Sequence, residues 1–219
     1  MLEFERDRWD VGDVRLAGLD EAGRGPLAGP VVAAALSAPR DLLEAELDGE
    51  LSLLTDSKKL TEKRRDSFFE ILSATDGIEF GVGVSTVPEI DELNILKATH
   101  LAMRRAVEAL EPLPDHVLVD GLAVEGLPVV STPIVKGDSK SLLIAGASVI
   151  AKVTRDRMMK ELDAMYPVYG FAGHKGYGSK AHIEALMKHG PCPEHRQTFR
   201  PVREARKIRE WIEEHPEPS

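Results

Sequence analysis

The sequence predicts an α/β fold with a mixed β-sheet flanked by helices. Short apolar runs of strand length alternate along the chain with longer amphipathic segments, which is the pattern of α/β proteins. The first two runs, residues 16–19 and 31–36, are separated by a turn rich in glycine and proline, which favours a hairpin-like pair. A sheet that combines such a pair with strands joined through helices is mixed.

The remaining elements follow in chain order. They are a helix at 42–47, a helix at 62–73, a strand at 78–87, a helix at 88–110, strands at 116–120 and 129–135, and helices at 139–165, 179–188 and 201–215. Thr61 is expected to cap the helix at 62–73, and an irregularity is expected near Asn94. The helix at 139–165 is apolar almost all round at its start, which is typical of a central helix in the core.

Composition narrows the class of protein. The 219 residues are enough for one domain with a sizeable core, and no apolar run approaches the roughly 18–20 residues of a membrane span. The N-terminus lacks the apolar centre of a signal peptide, and Cys192 is the only cysteine, so we expect a cytoplasmic protein without disulfides. The net charge of −9 argues against a general nucleic-acid binder, although basic residues cluster at 58–65 and 196–209.

Acidic residues follow apolar segments at three places in the chain. Asp20 and Glu21 end the first strand, Asp120 ends another, and Asp138 stands where the long helix is predicted to begin. Because the strand ends of an α/β sheet form a crevice, we expect these four carboxylates to converge there. Converging carboxylates repel each other unless divalent cations lie between them, and oxygen ligands favour Mg²⁺ or Mn²⁺. Each acid alone is more typical of a turn or a helix cap, and Asp138 could serve only as an N-cap.

Three further features have both a functional and an ordinary interpretation. The turn Gly23-Arg24-Gly25 lets backbone N–H groups approach a phosphate or a sugar closely. Lys58 and Lys59, beside small hydroxyl residues, could neutralise a phosphate, but a solvated loop entering a helix has the same composition. Tyr177, in the glycine-rich loop HKGYG, is by itself typical of a half-buried loop tyrosine.

Other polar residues of the C-terminal half are expected to serve packing. Asp156 lies roughly 27 Å from Asp138 along the predicted helix axis, which is too far for a shared ligand sphere. We expect it to form a structural ion pair with neighbouring basic residues. We also expect His174, His189 and His195 to be packing residues.

Six motifs together resemble those of one nuclease family. In this order, DEAGRGPLAGPV, TDSKKL, LVDG, KGD, ASVIAKVTRD and YGFAGHKGYG are similar to ribonuclease HII, the type 2 ribonuclease H, over residues 14–202. The resemblance implies an RNase H-like core at about 14–165 and a C-terminal helical extension at about 166–215 that contributes to substrate binding, within one domain at 1–219. It implies Mg²⁺- or Mn²⁺-dependent cleavage of the RNA strand of RNA–DNA hybrids.

The same resemblance implies a second substrate and a mechanism. Members of the family also cut 5′ to single ribonucleotides embedded in duplex DNA, and two-metal-ion catalysis leaves 3′-hydroxyl and 5′-phosphate ends. The residues that match the family's metal-binding and catalytic carboxylates are Asp20, Glu21, Asp120 and Asp138. Those that match its substrate contacts are Gly23, Arg24 and Gly25 for the ribose 2′-hydroxyl, Tyr177 for the sugars at the junction, and Lys58 and Lys59 for phosphates.

Some expectations concern subtype and partners. The short segment before the first strand favours type 2 over type 3, and the C-terminus lacks the Gln-plus-aromatic peptide with which archaeal relatives bind a sliding clamp. We therefore expect a bacterial-type monomer without a clamp partner. Two alternatives remain open: another metal nuclease of RNase H-like fold, such as a resolvase or 3′-exonuclease, and a non-enzymatic hybrid-binding module. Cleavage of all-DNA duplexes would indicate the first, and binding that ignores EDTA and yields no product would indicate the second.

Overall fold

Five strands form one mixed sheet in the part of the chain that the structure describes. The computed structural model describes residues 1–47, 49–54 and 56–214, except for the side chains of residues 58, 212 and 213. The strands are β1 (Leu16–Ala22), β2 (Val31–Ser37), β3 (Glu79–Ser85), β4 (His116–Asp120) and β5 (Val130–Ile134), in the spatial order β3-β2-β1-β4-β5. β1 pairs antiparallel with β2 and parallel with β4, which confirms the hairpin-like pair and the mixed sheet.

The helices agree with the expected order and add two, one at the N-terminus and a short one at Phe171–His174. They are α1 (Glu3–Asp10), α2 (Arg40–Ala45), α3 (Glu62–Ala74), α4 (Val87–Leu93), α5 (Ile95–Glu108), α6 (Leu142–Met165), α7 (Phe171–His174), α8 (Lys180–His189) and α9 (Arg200–Glu214). Thr61 caps α3, because its hydroxyl accepts a hydrogen bond from the backbone N–H of Arg64. Asn94 separates α4 from α5 at φ 72° and caps α5, which confirms the expected irregularity.

The two faces of the sheet are covered by different helices. Successive residues of a strand point to opposite faces, so Leu16 packs with residues of α6 while its neighbour Ala17 packs with residues of α5. The residues of β2 and the first half of α6 are almost entirely buried, which places α6 at the centre of the molecule as expected. Asp20 lies four residues after Leu16 and therefore on the face that α6 covers.

The start of α6 differs from its prediction. The helix begins at Leu142 and is capped by Ser141, whose hydroxyl accepts from the backbone N–H of Ile144. The preceding residues, Gly137–Ser139, form a separate 3₁₀ turn after Lys136, which adopts a left-handed φ of 58°. The interpretation of Asp138 as the N-cap of the long helix is therefore wrong, because Ser141 is the N-cap.

The elements after α6 pack against the loop that follows β1. Leu27 of that loop forms a small buried cluster with Leu186 of α8 and with Val202 and Ala205 of α9. The backbone N–H of Leu27 donates to the carbonyl of Gly176, so the loop after α7 is tied to the loop after β1. Among the described helices, none is both long and apolar enough to cross a membrane.

Candidate metal centre and adjoining cleft

Three carboxylates meet at one edge of the sheet. Asp20 and Asp120 directly follow Leu19 and Val119, the last paired residues of two adjacent parallel strands. Asp138 comes from the turn between β5 and α6. One carboxylate oxygen from each of the three lies within 4.8 Å of the others. The expected convergence is thus observed for Asp20, Asp120 and Asp138.

The turn that carries Asp138 is fixed to β4 by a backbone hydrogen bond. The N–H of Gly137 donates to Oδ1 of Asp120 over 2.7 Å. A Cβ at position 137 would lie 2.6 Å from Cδ1 of Ile144, so any larger residue would require the Ile144 side chain to shift. The KGD segment therefore positions Asp138 through the glycine that precedes it.

Burial and mutual repulsion disfavour the ionised form of Asp20. Its side chain is 4% exposed, and burial, followed by the negative charges of Glu21 and Asp120, raises its pKa well above the usual value for aspartate. Hydrogen bonds from the Ser148 side chain and the Glu21 backbone only partly oppose this shift. Three carboxylates lie close together here, and the ionised form of Asp20 is disfavoured. Such a group of oxygen donors fits a divalent cation of the Mg²⁺ or Mn²⁺ type.

Glu21 lies beside this cluster and does not belong to the group of three. Its Oε1 accepts from Nη1 of Arg24 at 3.2 Å, and its side chain lines the neighbouring cleft. Its charge still reaches Asp20, whose pKa it raises. The structure therefore places Glu21 between the metal centre and the glycine turn.

The cleft next to Glu21 has a volume of about 360 Å³. It is lined by Glu21, Ala22, Gly23, Arg24, Gly25, Ser57, Lys152, Arg155 and Tyr177. A Cβ at Gly25 would lie 3.5 Å from Cε1 of Tyr177, so the tyrosine ring borders the glycine turn although more than 150 residues separate them in sequence. Tyr177 is 46% exposed, so the ring is accessible from the cleft.

A chain of buried histidines fixes the backbone at Tyr177. Nδ1 of His195 accepts from the backbone N–H of Cys192, so the proton of its ring lies on Nε2. That Nε2–H donates to Nε2 of His182 over 3.0 Å, and Nδ1–H of His182 donates to the carbonyl of Tyr177 over 2.8 Å. His174 contributes a further ring bond, to the carbonyl of Tyr169.

The packing role expected for the histidines is confirmed for His174 and His195, which hydrogen-bond inside the molecule. His189 is exposed and lies edge-on to the ring of Tyr169. The ion pair expected for Asp156 is confirmed: its carboxylate lies 2.6 Å from Nζ of Lys152 and 3.8 Å from Nη2 of Arg65.

The segment TDSKKL contributes Ser57 to the cleft, and the phosphate contacts expected of Lys58 and Lys59 stay a prediction. Lys59 is exposed, and among the described residues of this segment it is Ser57 that lines the cleft. The side chain of Lys58 lies outside the described part of the chain. The hydroxyl of Ser57 bonds that of Ser148 over 2.7 Å, which links the segment to the helix behind Asp20.

Sequence reasoning missed two cleft residues of α6, Lys152 and Arg155. Together with Ser148 they recur at intervals of four and three, starting in the apolar first half of the helix, which marks one polar face of α6. That polar face is the signal that could have identified them.

Comparison with known proteins agrees with this geometry. The family model described as ribonuclease HII matches residues 17–202. A ribonuclease HII of Geobacillus kaustophilus is 51% identical over 212 residues, which cover 97% of this chain and 78% of the relative. The crystal structure of the ribonuclease H2 from Pyrococcus horikoshii is similar with a TM-score of 0.73 and 29% identity, over 88% of this chain and 97% of that one.

A second structural neighbour bears on partners. The ribonuclease HII of Archaeoglobus fulgidus, solved as a complex with PCNA, is similar with a TM-score of 0.69 and 25% identity, over 85% of this chain and 96% of that one. That complex shows that the archaeal protein binds PCNA. The expectation that the present chain has no clamp partner stays a prediction.

Proposed function

Because this chain belongs to the ribonuclease HII family, we propose that it cuts duplex DNA 5′ to an embedded ribonucleotide and leaves 3′-hydroxyl and 5′-phosphate ends. Membership of the family makes the chain a metal-dependent ribonuclease H that acts on RNA–DNA hybrids. The observation that carries the finer proposal is the adjacency of two sites. The cleft lined by the glycine turn and Tyr177 borders Glu21, which is next to the clustered aspartates.

The proposed metal ligands are Asp20, Glu21, Asp120 and Asp138, and the proposed ion is Mg²⁺ or Mn²⁺. The close spacing of three of these carboxylates and the raised pKa of Asp20 support this assignment, because a bound cation would offset both burial and repulsion. Two such ions, when bound, would activate the attacking water and stabilise the departing 3′ oxygen. The oxygen donors suit either metal, so the choice between them belongs to experiment.

The chain's own residues supply substrate recognition. We assign Gly23, Arg24 and Gly25 to the ribose 2′-hydroxyl, which distinguishes RNA from DNA at a single position. The ring of Tyr177, at the border of the same turn, would pack against the sugar next to it. Lys58 and Lys59 are proposed as phosphate contacts; the side chain of Lys59 is exposed.

The experiment compares three substrates with and without Mg²⁺: an RNA–DNA hybrid, a DNA duplex with one ribonucleotide, and an all-DNA duplex. We expect cleavage of the first two only, and none in EDTA. Cleavage of the all-DNA duplex would indicate a ribose-independent nuclease instead. Binding without product in Mg²⁺ would indicate a hybrid-binding module.

Asp138→Asn tests the ligand assignment in the same assay. We expect normal folding and loss of cleavage, because the amide lacks the charge that a divalent cation requires from this position. Asp76→Asn removes an equal charge from an exposed site and should leave cleavage unchanged. Retained turnover of Asp138→Asn in Mg²⁺ would refute the four-carboxylate model.

A further inference from the structure

Arg196 is a buried cation that hydrogen-bonds backbone carbonyls. Burial, followed by the charge of Arg155, lowers its pKa, although the charge of Asp91 partly opposes this. Its side chain has no exposed surface, and within the described residues its guanidinium makes no ion pair. Every hydrogen bond of the guanidinium goes to a backbone carbonyl of the loop between β1 and β2: to Gly23 at 2.5 Å, Arg24 at 2.9 Å, Gly29 at 2.9 and 3.0 Å, and Pro30 at 3.3 Å. Burying a charge costs free energy, and the five hydrogen bonds to backbone carbonyls offset this cost. The same bonds bear on the conformation of the loop.

The bonds to Gly23 and Arg24 determine which way the turn presents its amides. In a trans peptide the N–H points opposite to the C=O of the same unit, and the cis peptide of the described chain lies elsewhere, at Glu111–Pro112. The carbonyls of Gly23 and Arg24 both point at the buried guanidinium. The N–H groups of Arg24 and Gly25 therefore point away from it, and both residues line the cleft.

We propose that Arg196 is a positioning residue that sets ribonucleotide discrimination by holding the N–H groups of Arg24 and Gly25 towards the cleft. The inference rests on the proposed function, in which this turn recognises the ribose 2′-hydroxyl. Arg196 does not touch the substrate; it acts through the two carbonyls. No other side chain of the described part bonds these two carbonyls, so their direction depends on this residue.

Arg155 offers a matched comparison for the ratio of affinities, although it also lines the cleft and its substitution can lower both affinities. It is equally buried, at 1% exposed, and its guanidinium likewise donates to backbone carbonyls, those of Ala28, Pro30 and Lys175. It shares the Pro30 carbonyl with Arg196 but bonds neither Gly23 nor Arg24 through their carbonyls. A purely structural role for Arg196 predicts that the two arginines behave alike, whereas a positioning role predicts that they differ.

The experiment measures binding in EDTA, where nothing is cut, to a DNA duplex with one ribonucleotide and to the same duplex in DNA only. The readout is the ratio of the two affinities for wild type, Arg196→Gln, Arg196→Lys and Arg155→Lys, with thermal unfolding of each. We expect the ratio to fall about tenfold in Arg196→Gln, since misdirected donors lose a hydrogen bond to the sugar. The all-DNA affinity should stay within about twofold, and Arg196→Lys should recover part of the ratio because it restores one bonded cation.

The outcomes distinguish a failure of ribose recognition by the turn from a failure of the positioning role of Arg196. Equal affinities of the wild-type protein for the two duplexes refute ribose recognition by this turn. The role of Arg196 is then refuted as well, whatever the variants show. An affinity ratio equal to the wild-type ratio in Arg196→Gln, or in Arg196→Lys if the glutamine variant does not fold, refutes the role of Arg196 alone. An equal loss in Arg155→Lys at equal stability also refutes it, because general collapse of the loop would then explain both.

Discussion

Gly18 of β1 lies directly against the backbone of Leu143 in α6. A Cβ at position 18 would stand 2.2 Å from the carbonyl carbon of Leu143 and 2.3 Å from the backbone nitrogen of Ile144. Real Cβ atoms do not approach backbone so closely, so the helix would have to move away from the strand. Since β1 carries Asp20 and the turn before α6 carries Asp138, this contact sets the separation of two proposed metal ligands.

Gly18→Ala should therefore destabilise the fold and disturb the metal centre together. We expect a loss of about 3 kcal/mol or more in the free energy of unfolding, because the clash is with backbone that cannot rotate aside. Urea unfolding measures this directly. Gly173→Ala in α7 is the control, since nothing lies within 4 Å of its Cβ and alanine favours a helix. Equal stability of the two variants would contradict the close packing of α6 on β1.

Asp20→Asn should make the metal-free protein more stable. Burial and the charges of Glu21 and Asp120 disfavour the ionised carboxylate, and the asparagine Oδ1 can still accept from the Glu21 N–H, as Oδ1 of Asp20 does over 2.7 Å. We expect a gain of roughly 1–3 kcal/mol in EDTA and loss of most of the stabilisation by Mg²⁺. Thermal unfolding with and without Mg²⁺ measures both effects.

Asp115→Asn, just before β4, is the opposite case. Its carboxylate accepts from the backbone N–H groups of Val14 and Arg15, which lower its pKa, so removal of that charge should destabilise the protein and leave the Mg²⁺ response intact. A drop in the EDTA stability of Asp20→Asn would contradict the electrostatic account of the metal centre.

The parts of the site that the sequence predicts are those encoded locally. An acid after an apolar run predicts the end of a strand, and β4 does end at Asp120. β1 continues past Asp20 to Ala22 because it still pairs with β2 there, so the predicted end of this strand was wrong. The meeting of Asp20 and Asp120 follows from the parallel pairing of β1 and β4. The beginning of α6 was misplaced because Asp138 and Ser141 are both good capping residues, and only the 3₁₀ turn after Lys136 decides between them.

Contacts between distant segments could not be predicted in this way. Arg196 hydrogen-bonds the carbonyls of Gly23 and Arg24, which lie more than 160 residues earlier in the chain. The periodicity of apolar residues gives no information about a bond from a side chain to a backbone carbonyl. Its neighbours in sequence are polar, so a buried position is not apparent from the pattern. The same limit applies to the hydrogen bond between His182 and Tyr177, whose acceptor is a backbone atom common to every residue.

Lys152→Gln should weaken substrate binding without changing ribose preference. Nζ of Lys152 lies in the cleft, held 2.6 Å from Oδ1 of Asp156, where it can meet a phosphate. We expect similar losses of affinity for ribonucleotide-containing and all-DNA duplexes and a salt dependence lower by about one contact. Lys160→Gln on the same helix removes an exposed lysine paired with Glu62 and is the control. A change in the affinity ratio would mean that Lys152 recognises the sugar instead.

The neutral pair His195 and His182 should make stability depend on pH. Burial, with the neighbouring His182 second, lowers the pKa of His195 to about 4, whereas the unfolded chain has about 6.5. Between these pH values the unfolded chain binds a proton at this histidine and the folded chain does not. The contribution of His195 to the free energy of unfolding is therefore fully present above about pH 6.5 and is lost as the pH drops towards 4. The pKa of His182 is lowered too, again chiefly by burial, and adds to the same trend.

His195→Asn removes one of these two titrating groups, so it should reduce the loss of stability between pH 7 and pH 5. The wild-type contribution of this histidine is on the order of 3 kcal/mol across the full window, and about half of it should be lost by pH 5. Urea unfolding at the two pH values measures the difference. An asparagine variant that loses as much stability as wild type would contradict the neutral pair. Protonation of His182 at Nε2 would set two N–H groups face to face across the 3.0 Å contact with His195. Protonation of His195 at Nδ1 would do the same against the backbone N–H of Cys192, so acid should also loosen the Tyr177 loop.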